Sequence, residues 1–244
     1  MFKKKLILKK THDFSAVKKP KLTVVFVHGI ASDSTTWNHA LDYLEGTMSL
    51  KEVRFVAFDL LGSGRSSNDQ KLEFGYKDQI EALGNSLKRL KLKSPLVLVG
   101  HSLGALVVTK YASDYKKAVR ELILVSPPTY TEKDLGSAVF KAEMEAFKKI
   151  VAAKDRKYVN DKAFNNKVAK IILNKYNYKR LCELTTPAVL IYSESDKIIA
   201  PQNIRKAVRA NAKYLRGVTT IGTHRVARDK YNKIREVLEE VLNA

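Results

Sequence analysis

The 244-residue sequence has little cysteine, few acidic residues and no long apolar run, and each shortage excludes a class of protein. Cys182 is the single cysteine, so the chain cannot form an internal disulfide or a cysteine-rich metal site. No stretch approaches the ~18 apolar residues that a membrane-spanning helix requires. The basic N-terminal region carries a short apolar run at residues 6–8, and a secretory signal peptide needs at least about seven apolar residues. We therefore expect a globular, cytoplasmic protein.

The scarcity of acidic residues leaves a strongly basic chain. The 45 Lys and Arg stand against 25 Asp and Glu, which gives a formal net charge of +20. Such a charge is typical of proteins that bind nucleic acid, an anionic membrane surface or an acidic substrate. It also arises from a lysine-rich solvated surface. Only 12 of the basic residues are arginine, the side chain that favours phosphate and base recognition, so we expect no specific nucleic-acid partner.

Apolar runs rich in β-branched residues alternate with helical patterns along the whole chain. The runs are mostly continuous, which is typical of strands buried on both faces of a parallel sheet. Between them, apolar residues recur at helical spacing, as in Trp37, Leu41 and Leu44. This alternation predicts an α/β fold with a doubly wound, mostly parallel sheet. The predicted strands cover residues 22–27, 53–58, 96–99, 121–125, 188–192 and 217–221.

About 60 residues separate the fourth of these strands from the fifth, which is more than a crossover connection needs. Thr131 with Asp134 resembles a capping box near the start of this segment. Two amphipathic stripes follow, whose side chains either pack on the sheet or line a substrate pocket. We therefore predict a core of residues 1–128 and 184–244 with a helical cap of residues 129–183. The stripes consist of Phe140, Met144, Phe147 and Val151, and then of Phe164, Val168, Ile172 and Tyr176.

The sequence Gly100-His101-Ser102-Leu103-Gly104 lies between a predicted strand and an apolar helical stretch. A serine on such a sharp strand-to-helix turn is held out at the carboxyl edge of the sheet, where doubly wound folds bind ligands. Glycine two positions before and after the serine lets neighbouring backbone approach without a Cβ clash. The N–H groups at the start of the helix lie beneath the serine oxygen. This context predicts that Ser102 is a nucleophile.

A serine hydroxyl is a weak nucleophile, so it needs a base that an acid orients. Where the nucleophile lies on this kind of turn, the acid and then the histidine follow it in the chain. His224 is the only histidine after Ser102, and we predict it as the base. For the acid we predict Asp196, which follows a strand, with Glu194 as the first alternative and Asp134 as a remote one. Aspartates that fall in helical stretches, and that we interpret as solvated surface, are Asp114, Asp155 and Asp161.

When a serine attacks a carbonyl group, the carbonyl oxygen becomes negatively charged. Such a site therefore also needs hydrogen-bond donors that stabilise this oxygen. His28-Gly29-Ile30 follows the first predicted strand, and its glycine lets the backbone approach a substrate. We predict that the backbone N–H groups of Ile30 and Leu103 form this oxyanion hole. The side chains of His28 and His101 are interpreted as structural, holding loops in place.

Together these residues resemble the α/β-hydrolase superfamily, and among its members the small serine esterases and monoacylglycerol-lipase-like enzymes. The resemblance covers about residues 20–244 and implies an α/β-hydrolase fold with the cap inserted after the sixth strand of the family. It also implies a structural role for the loop of residues 59–66. Two departures stand out: residues 5–9 are the one candidate for the opening antiparallel strands of the family, and Arg225 occupies a position that is often apolar. The matching motifs are His28-Gly29, residues 59–66, residues 100–104, Asp196 and Gly222-Thr223-His224.

The resemblance implies a serine hydrolase that cleaves small-molecule carboxylic esters of small to medium acyl chains through an acyl-enzyme, without a metal or organic cofactor. Two alternatives remain open. The same triad acts on C–C, thioester or amide bonds in other hydrolases, and a protein of this fold can also bind a ligand without catalysis. Residues 1–21 and 141–180 carry net charges of +7 and +8, which suggests a weak association with anionic lipid surfaces.

Overall fold

A single sheet organises the protein, whose computed structural model describes residues 5–66, 69, 71–92, 95–138, 140–141, 145 and 162–243. Seven strands in these ranges form the sheet, in the order β1-β3-β2-β4-β5-β6-β7. Neighbouring strands are parallel except for β1, which pairs antiparallel with β3. The predicted mostly parallel sheet is confirmed. The strands are β1 (Lys9–Ser15), β2 (Leu22–Val27), β3 (Val53–Asp59), β4 (Leu96–His101), β5 (Glu121–Val125), β6 (Ala188–Ser193) and β7 (Leu215–Thr220).

Helices connect the parallel strands and cover both faces of the sheet. One core contains residues of α2, α3, α5, α6 and α7, and the other contains residues of α1, α8 and α9. No helix in the described ranges is long and apolar enough to cross a membrane. The α-helices are α1 (Asn38–Glu45), α2 (Tyr76–Arg89), α3 (Leu103–Asp114), α4 (Glu132–Gly136), α5 (Lys162–Ile172), α6 (Tyr176–Cys182), α7 (Pro201–Ala210), α8 (Val226–Asp229) and α9 (Tyr231–Asn243).

Strand β2 shows why the apolar runs of the sequence are continuous. All six of its residues are buried. Val25 and Val27 belong to the core that contains α2 and α3, whereas Val24 and Phe26 belong to the core that contains α1 and α9. Burying one such side chain contributes about 1.5–3 kcal/mol to stability. The central strands therefore form a rigid base for the loops at their carboxyl ends.

The strand predicted at residues 5–9 is wrong, because the antiparallel edge strand begins at Lys9 and ends at Ser15. Leu8 is instead buried beside α2, where its N–H donates to Ser86 Oγ at 2.8 Å. Strand β1 is polar because an edge strand has little to bury. Arg54 of β3 holds it by donating to both carboxylate oxygens of Asp13, at 2.8 and 2.9 Å. This hydrogen bonding lowers the pKa of Asp13 to about 2.

The predicted capping box is confirmed at the start of α4. Thr131 Oγ1 accepts the Asp134 N–H at 3.3 Å, and Asp134 Oδ2 accepts the Thr131 N–H at 2.7 Å. Further along, the ring of Phe140 packs against Tyr130 with 4.5 Å between centroids. The other members of the first stripe lie outside the described residues, as do Asp155 and Asp161.

The second amphipathic stripe is divided between α5 and α6 rather than carried by one helix. Asn174 Oδ1 accepts the Tyr176 N–H at 2.9 Å, a local bond that competes with helix continuation. Tyr176 is consequently exposed, whereas Val168 and Ile172 are buried in the core that contains α3. Helices α5 and α6 thus share a core with α2, α3 and α7, which cover one face of the sheet. The division of the chain into a core and a cap stays a prediction.

Candidate active site

The turn between β4 and α3 places Ser102 at the carboxyl edge of the sheet. Ser102 has φ 51° and ψ −114°, a conformation that L-residues rarely adopt. Two hydrogen bonds hold it there: its N–H donates to the Val125 carbonyl at 2.9 Å, and its carbonyl accepts the Leu106 N–H at 3.2 Å. Ser102 is only 2% exposed, so protein rather than solvent surrounds its hydroxyl.

Two glycines permit this turn because other backbone segments pass against them. A Cβ on Gly100 would lie 2.6 Å from Ala105 N and Cα, and a Cβ on Gly104 would lie 2.2 Å from the Val27 carbonyl oxygen. Contacts this short do not occur between real atoms, and the opposing atoms belong to a helix and a central strand. The spacing of the glycines around Ser102 is therefore a packing requirement of this fold.

We expect Gly104→Ala to lower the free energy of unfolding by about 3 kcal/mol or more, because neither β2 nor α3 can move away from the added methyl group. Gly75→Ala is the matched control, since a Cβ on Gly75 meets nothing within 4 Å and its φ of −76° suits alanine. Urea denaturation of both variants measures the difference. Equal stability of the two variants would contradict the packing argument.

The structure brings three of the predicted residues into one hydrogen-bonded chain. His224 Nε2 lies 2.9 Å from Ser102 Oγ, and His224 Nδ1 lies 2.9 Å from Asp196 Oδ2. Asp196 follows β6, and His224 follows β7, the next strand in the sheet. The three side chains therefore meet because β4, β6 and β7 end at the same edge.

The charge of Asp196 determines which ring nitrogen of His224 donates to it. Burial alone would raise the pKa of Asp196, but hydrogen bonds from His224 and from the Ile198 N–H, the latter at 2.8 Å, lower it overall. An ionised carboxylate can only accept, so His224 Nδ1 carries the proton. Nε2 then presents its lone pair to the hydroxyl of Ser102. This is the arrangement that a general base requires.

The alternative acids lie elsewhere. Glu194 is exposed and forms an ion pair with Arg205. Asp134 belongs to the capping box of α4, where Asn203 Nδ2 also donates to its Oδ2 at 2.7 Å. Asp114 pairs with Lys110 at the end of α3, as expected for solvated surface. Of the candidate acids that the structure describes, Asp196 is the one in contact with His224.

The two residues predicted to supply oxyanion donors lie in the turns that meet at Ser102. Leu103 is the first residue of α3, and the first N–H groups of a helix have no acceptor within it. Ile30 lies in the turn after β2, next to Ala31, which has φ 51°. A Cβ on Gly29 would lie 3.2 Å from the Cβ of Ser102, so this turn packs directly against the serine. Leu103 thus follows Ser102 directly, and Ile30 lies in the turn that packs against it.

His28 is buried and His101 is half-buried, and both side chains contact main-chain groups. His28 Nε2 accepts the Leu60 N–H at 3.0 Å, and its Nδ1 donates to the Gly29 carbonyl at 2.7 Å. His101 Nε2 donates to the main-chain carbonyl of His224 at 2.8 Å. Burial is the main cause that lowers the pKa of His28, and burial with the nearby His224 lowers the pKa of His101 to about 3. Both imidazoles are therefore neutral at neutral pH, each in a defined tautomer.

These two histidines make the fold sensitive to acid. The ordinary histidine pKa is 6.5, so the unfolded chain binds a proton at His101 between pH 6.5 and 3 that the folded protein excludes. The free energy of unfolding should consequently fall by about 2 kcal/mol between pH 7.5 and pH 5 from His101 alone. Urea denaturation at both pH values should show a decrease that is smaller in His101→Gln than in the wild type by about this amount, because the variant keeps the contribution of His28. The same pH dependence in both proteins would refute the assignment.

The loop of residues 59–66 is joined to the loop after β2 by hydrogen bonds of Asp59. Asp59 Oδ1 accepts the Ser34 N–H and Oδ2 accepts the Arg65 N–H, both at 2.8 Å. Gly64 has φ 52°, and a Cβ there would lie 2.3 Å from the Asp59 carboxylate. Asp59 thus joins the loops after β2 and β3, in agreement with the structural role that the resemblance implies.

Two residues that hold the site were missed by sequence reasoning. The hydroxyl of Ser193, the last residue of β6, donates to the Gly222 carbonyl at 2.6 Å. The hydroxyl of Tyr130 donates to the carbonyl of Ile198, whose N–H binds Asp196. No spacing links these residues to a motif, because the contacts form only once β5, β6 and β7 lie side by side. A polar residue at the end of an apolar strand was the one available signal for Ser193.

Comparison with known proteins decides the family. A family model for the alpha/beta hydrolase fold matches residues 23–171. The chain belongs to the α/β-hydrolase family. This α/β hydrolase is 30% identical over 139 residues to a probable lysophospholipase, BODYGUARD 5 of Arabidopsis thaliana, covering 57% of the chain and 31% of the plant protein. It is 32% identical over 115 residues to the (lyso)-N-acylphosphatidylethanolamine lipase of Mus musculus, covering 46% and 32%.

The α/β hydrolase therefore matches about a third of the length of these relatives. Among solved structures, a carboxylesterase of the thaumarchaeon Nitrososphaera gargenis aligns with a TM-score of 0.72 at 18% identity, over 97% of this chain and 94% of that one. This similarity concerns the fold and confirms the α/β-hydrolase architecture. Within the described residues, the α/β hydrolase has no group of three or more His, Cys, Asp or Glu side chains that could hold a metal ion.

Proposed function

We propose that the protein is a serine hydrolase that cleaves carboxylic esters of small to medium acyl chains. The observation that carries this proposal is the hydrogen-bonded chain from Asp196 through His224 to Ser102, with both bonds at 2.9 Å. Its relatives named as lipases support an ester substrate, although the chain matches only part of each. The expected substrate is a small-molecule acyl ester.

Acylation follows from the protonation states of the three residues. Ser102 Oγ attacks the carbonyl carbon of the ester while His224 Nε2 takes the hydroxyl proton, and Asp196 stabilises the imidazolium. The N–H groups of Ile30 and Leu103 are proposed to bind the oxyanion. When the intermediate collapses, His224 gives the proton to the leaving alcohol, and the acyl group remains on Ser102.

Deacylation repeats these steps with water. His224 takes a proton from the attacking water, and the new intermediate expels Ser102 Oγ, which regains its proton from His224. A carboxylic acid is released and the free enzyme is restored. Every proton moves between these side chains, substrate and water, so the scheme uses no metal or organic cofactor.

Two experiments with one control variant test the proposal. A fluorophosphonate probe should label Ser102 in the wild type and fail to label Ser102→Ala. A panel of p-nitrophenyl esters of increasing acyl length should give turnover that is highest at short to medium chains. Labelling without ester turnover would reject the ester and favour C–C, thioester or amide cleavage by the same triad. Absence of labelling and turnover would favour a ligand-binding protein.

We also propose a weak association with anionic lipid surfaces. Lys197 follows Asp196 and Arg225 follows His224, and both are exposed, as is Ile221, which lies three residues before His224 and is 85% exposed. Cations around an exposed apolar side chain suit an anionic interface. Vesicles with anionic lipid should sediment the protein and neutral vesicles should not. Ile221→Ser should weaken this binding more than Met48→Ser, a control that removes another highly exposed apolar residue. Equal binding of both vesicle types would refute the association.

A further inference from the structure

The segment that carries His224, residues 221–225, contains no buried residue. Ile221 is 85% exposed, and Thr223 and Arg225 are exposed as well. Gly222 has φ 150°, a conformation that favours glycine. A segment with so few buried apolar contacts has little to hold it locally. Yet the imidazole of His224 lies within hydrogen-bond distance of both Ser102 and Asp196, so other contacts must fix its main chain.

Two side-chain donors bind the main chain of this segment. Ser193 Oγ donates to the Gly222 carbonyl at 2.6 Å, and His101 Nε2 donates to the carbonyl of His224 itself at 2.8 Å. A carbonyl oxygen can only accept, so Nε2 of His101 must carry the proton. The second bond acts on the very residue whose imidazole approaches Ser102.

His101 is itself held rigidly from several sides. Its ring meets Trp37 edge-on, with 6.4 Å between centroids and an interplanar angle of 90°. On another side, a Cβ added to Gly29 would lie 3.0 Å from His101 Nδ1, so backbone packs closely against the ring. The backbone of His101 belongs to β4, where it pairs with Val125 of β5. The donor atom is therefore fixed relative to the sheet.

The place of His101 in the chain gives this bond its significance. His101 precedes Ser102, so its backbone helps set the position of the nucleophile, while its side chain sets the main chain of the base. His101 thus connects Ser102 and His224, which lie 122 residues apart in the chain. Its ring donates to the main-chain carbonyl of His224 and lies beside the His224 imidazole, with 5.1 Å between the ring centroids.

We propose that His101 is a positioning residue for the base. Its Nε2–H bond to the His224 carbonyl holds the His224 imidazole against Ser102 Oγ. The inference rests on the proposed function, in which this contact moves the proton. Because a displacement of about 1 Å in a reacting group can lower a rate roughly 100-fold, loss of this bond should reduce turnover with little effect on substrate binding.

The test compares variants that keep or remove the donor. In His101→Gln the side-chain amide reaches about as far as Nε2 and can donate to the same carbonyl. His101→Leu has no donor, and the amide of His101→Asn is too short to reach. For a soluble p-nitrophenyl ester, Leu and Asn should each lower kcat roughly 10–100-fold with KM changed less than about twofold, and Gln should restore most of the loss. Asn keeps the comparison possible if the Leu variant does not fold.

Two further measurements separate positioning from general damage. Thr109→Val removes a buried hydroxyl-to-carbonyl bond of 2.7 Å within α3, and this matched control should keep the wild-type kcat. The downfield NMR resonance of the His224 Nδ1 proton, which requires no turnover, should persist in His101→Gln and broaden or shift in His101→Leu and His101→Asn. If the wild type fails to hydrolyse esters, this resonance still tests the positioning role.

Wild-type kcat and an unchanged resonance in both His101→Leu and His101→Asn would overturn the proposal. An equal loss in His101→Gln would also overturn it, since the packing of the ring and not its hydrogen bond would then matter. Loss in Leu and Asn with recovery in Gln would support it.

Discussion

Ser102→Ala is expected to abolish ester turnover, with kcat falling by about 10⁵-fold or more, because the three members of a triad act as a unit. The substitution removes one oxygen from a side chain that is 2% exposed, and the bonds that hold the turn are made by the backbone of Ser102. The fold should therefore be retained. Circular dichroism and the midpoint of thermal unfolding check this while p-nitrophenyl butyrate measures turnover.

The matched control lies on the helix that follows. Ser113 is part-buried near the end of α3, where its hydroxyl donates to the Thr109 carbonyl at 2.9 Å. Ser113→Ala removes the same atom far from the sheet edge and should keep wild-type turnover. Substantial activity in Ser102→Ala would rule out Ser102 as the nucleophile.

Asp196→Asn is expected to lower kcat by roughly 10⁴-fold, because the amide can donate where the carboxylate only accepts. Nδ1 of His224 would then accept, and its proton would move to Nε2, which would have no lone pair left to take the proton of the Ser102 hydroxyl. The side chain of Asp196 is completely buried, so no solvent molecule can take its place readily. Raising the pH should not restore activity, since an amide does not ionise.

Glu194→Gln separates the two candidate acids. Glu194 lies two residues away on the same loop but is exposed and paired with Arg205, so this variant should retain turnover within about twofold of the wild type, as is typical for a surface pair. A large loss in Glu194→Gln together with a small one in Asp196→Asn would reverse the assignment.

Features with a strong local signal could be predicted from the sequence. The glycines around Ser102 are required because other backbone atoms lie only 2.2–2.6 Å from where a Cβ would be, and this requirement leaves a fixed spacing in the chain. The continuous apolar runs follow from burial on both faces of the sheet. The order of serine, acid and histidine reduced the choice of base to His224.

Other features leave a weak signal or none. Strand β1 lies at the edge of the sheet, is largely polar and was placed too early in the chain. The break between α5 and α6 depends on one asparagine that binds the backbone two residues further on. The bonds from Ser193 and His101 to the segment of His224 join residues far apart in the chain, and only the assembled sheet brings them together.

The backbone angles of Ser102 favour the proposed activity at the expense of the stability of the fold. A glycine would adopt φ 51° and ψ −114° without the steric cost that a Cβ brings, a cost of about 1–3 kcal/mol for a residue held in a sparsely populated region. Ser102→Gly should thus produce an inactive protein that resists denaturant at least as well as the wild type. Selection for stability alone would therefore favour glycine over the proposed nucleophile at this position.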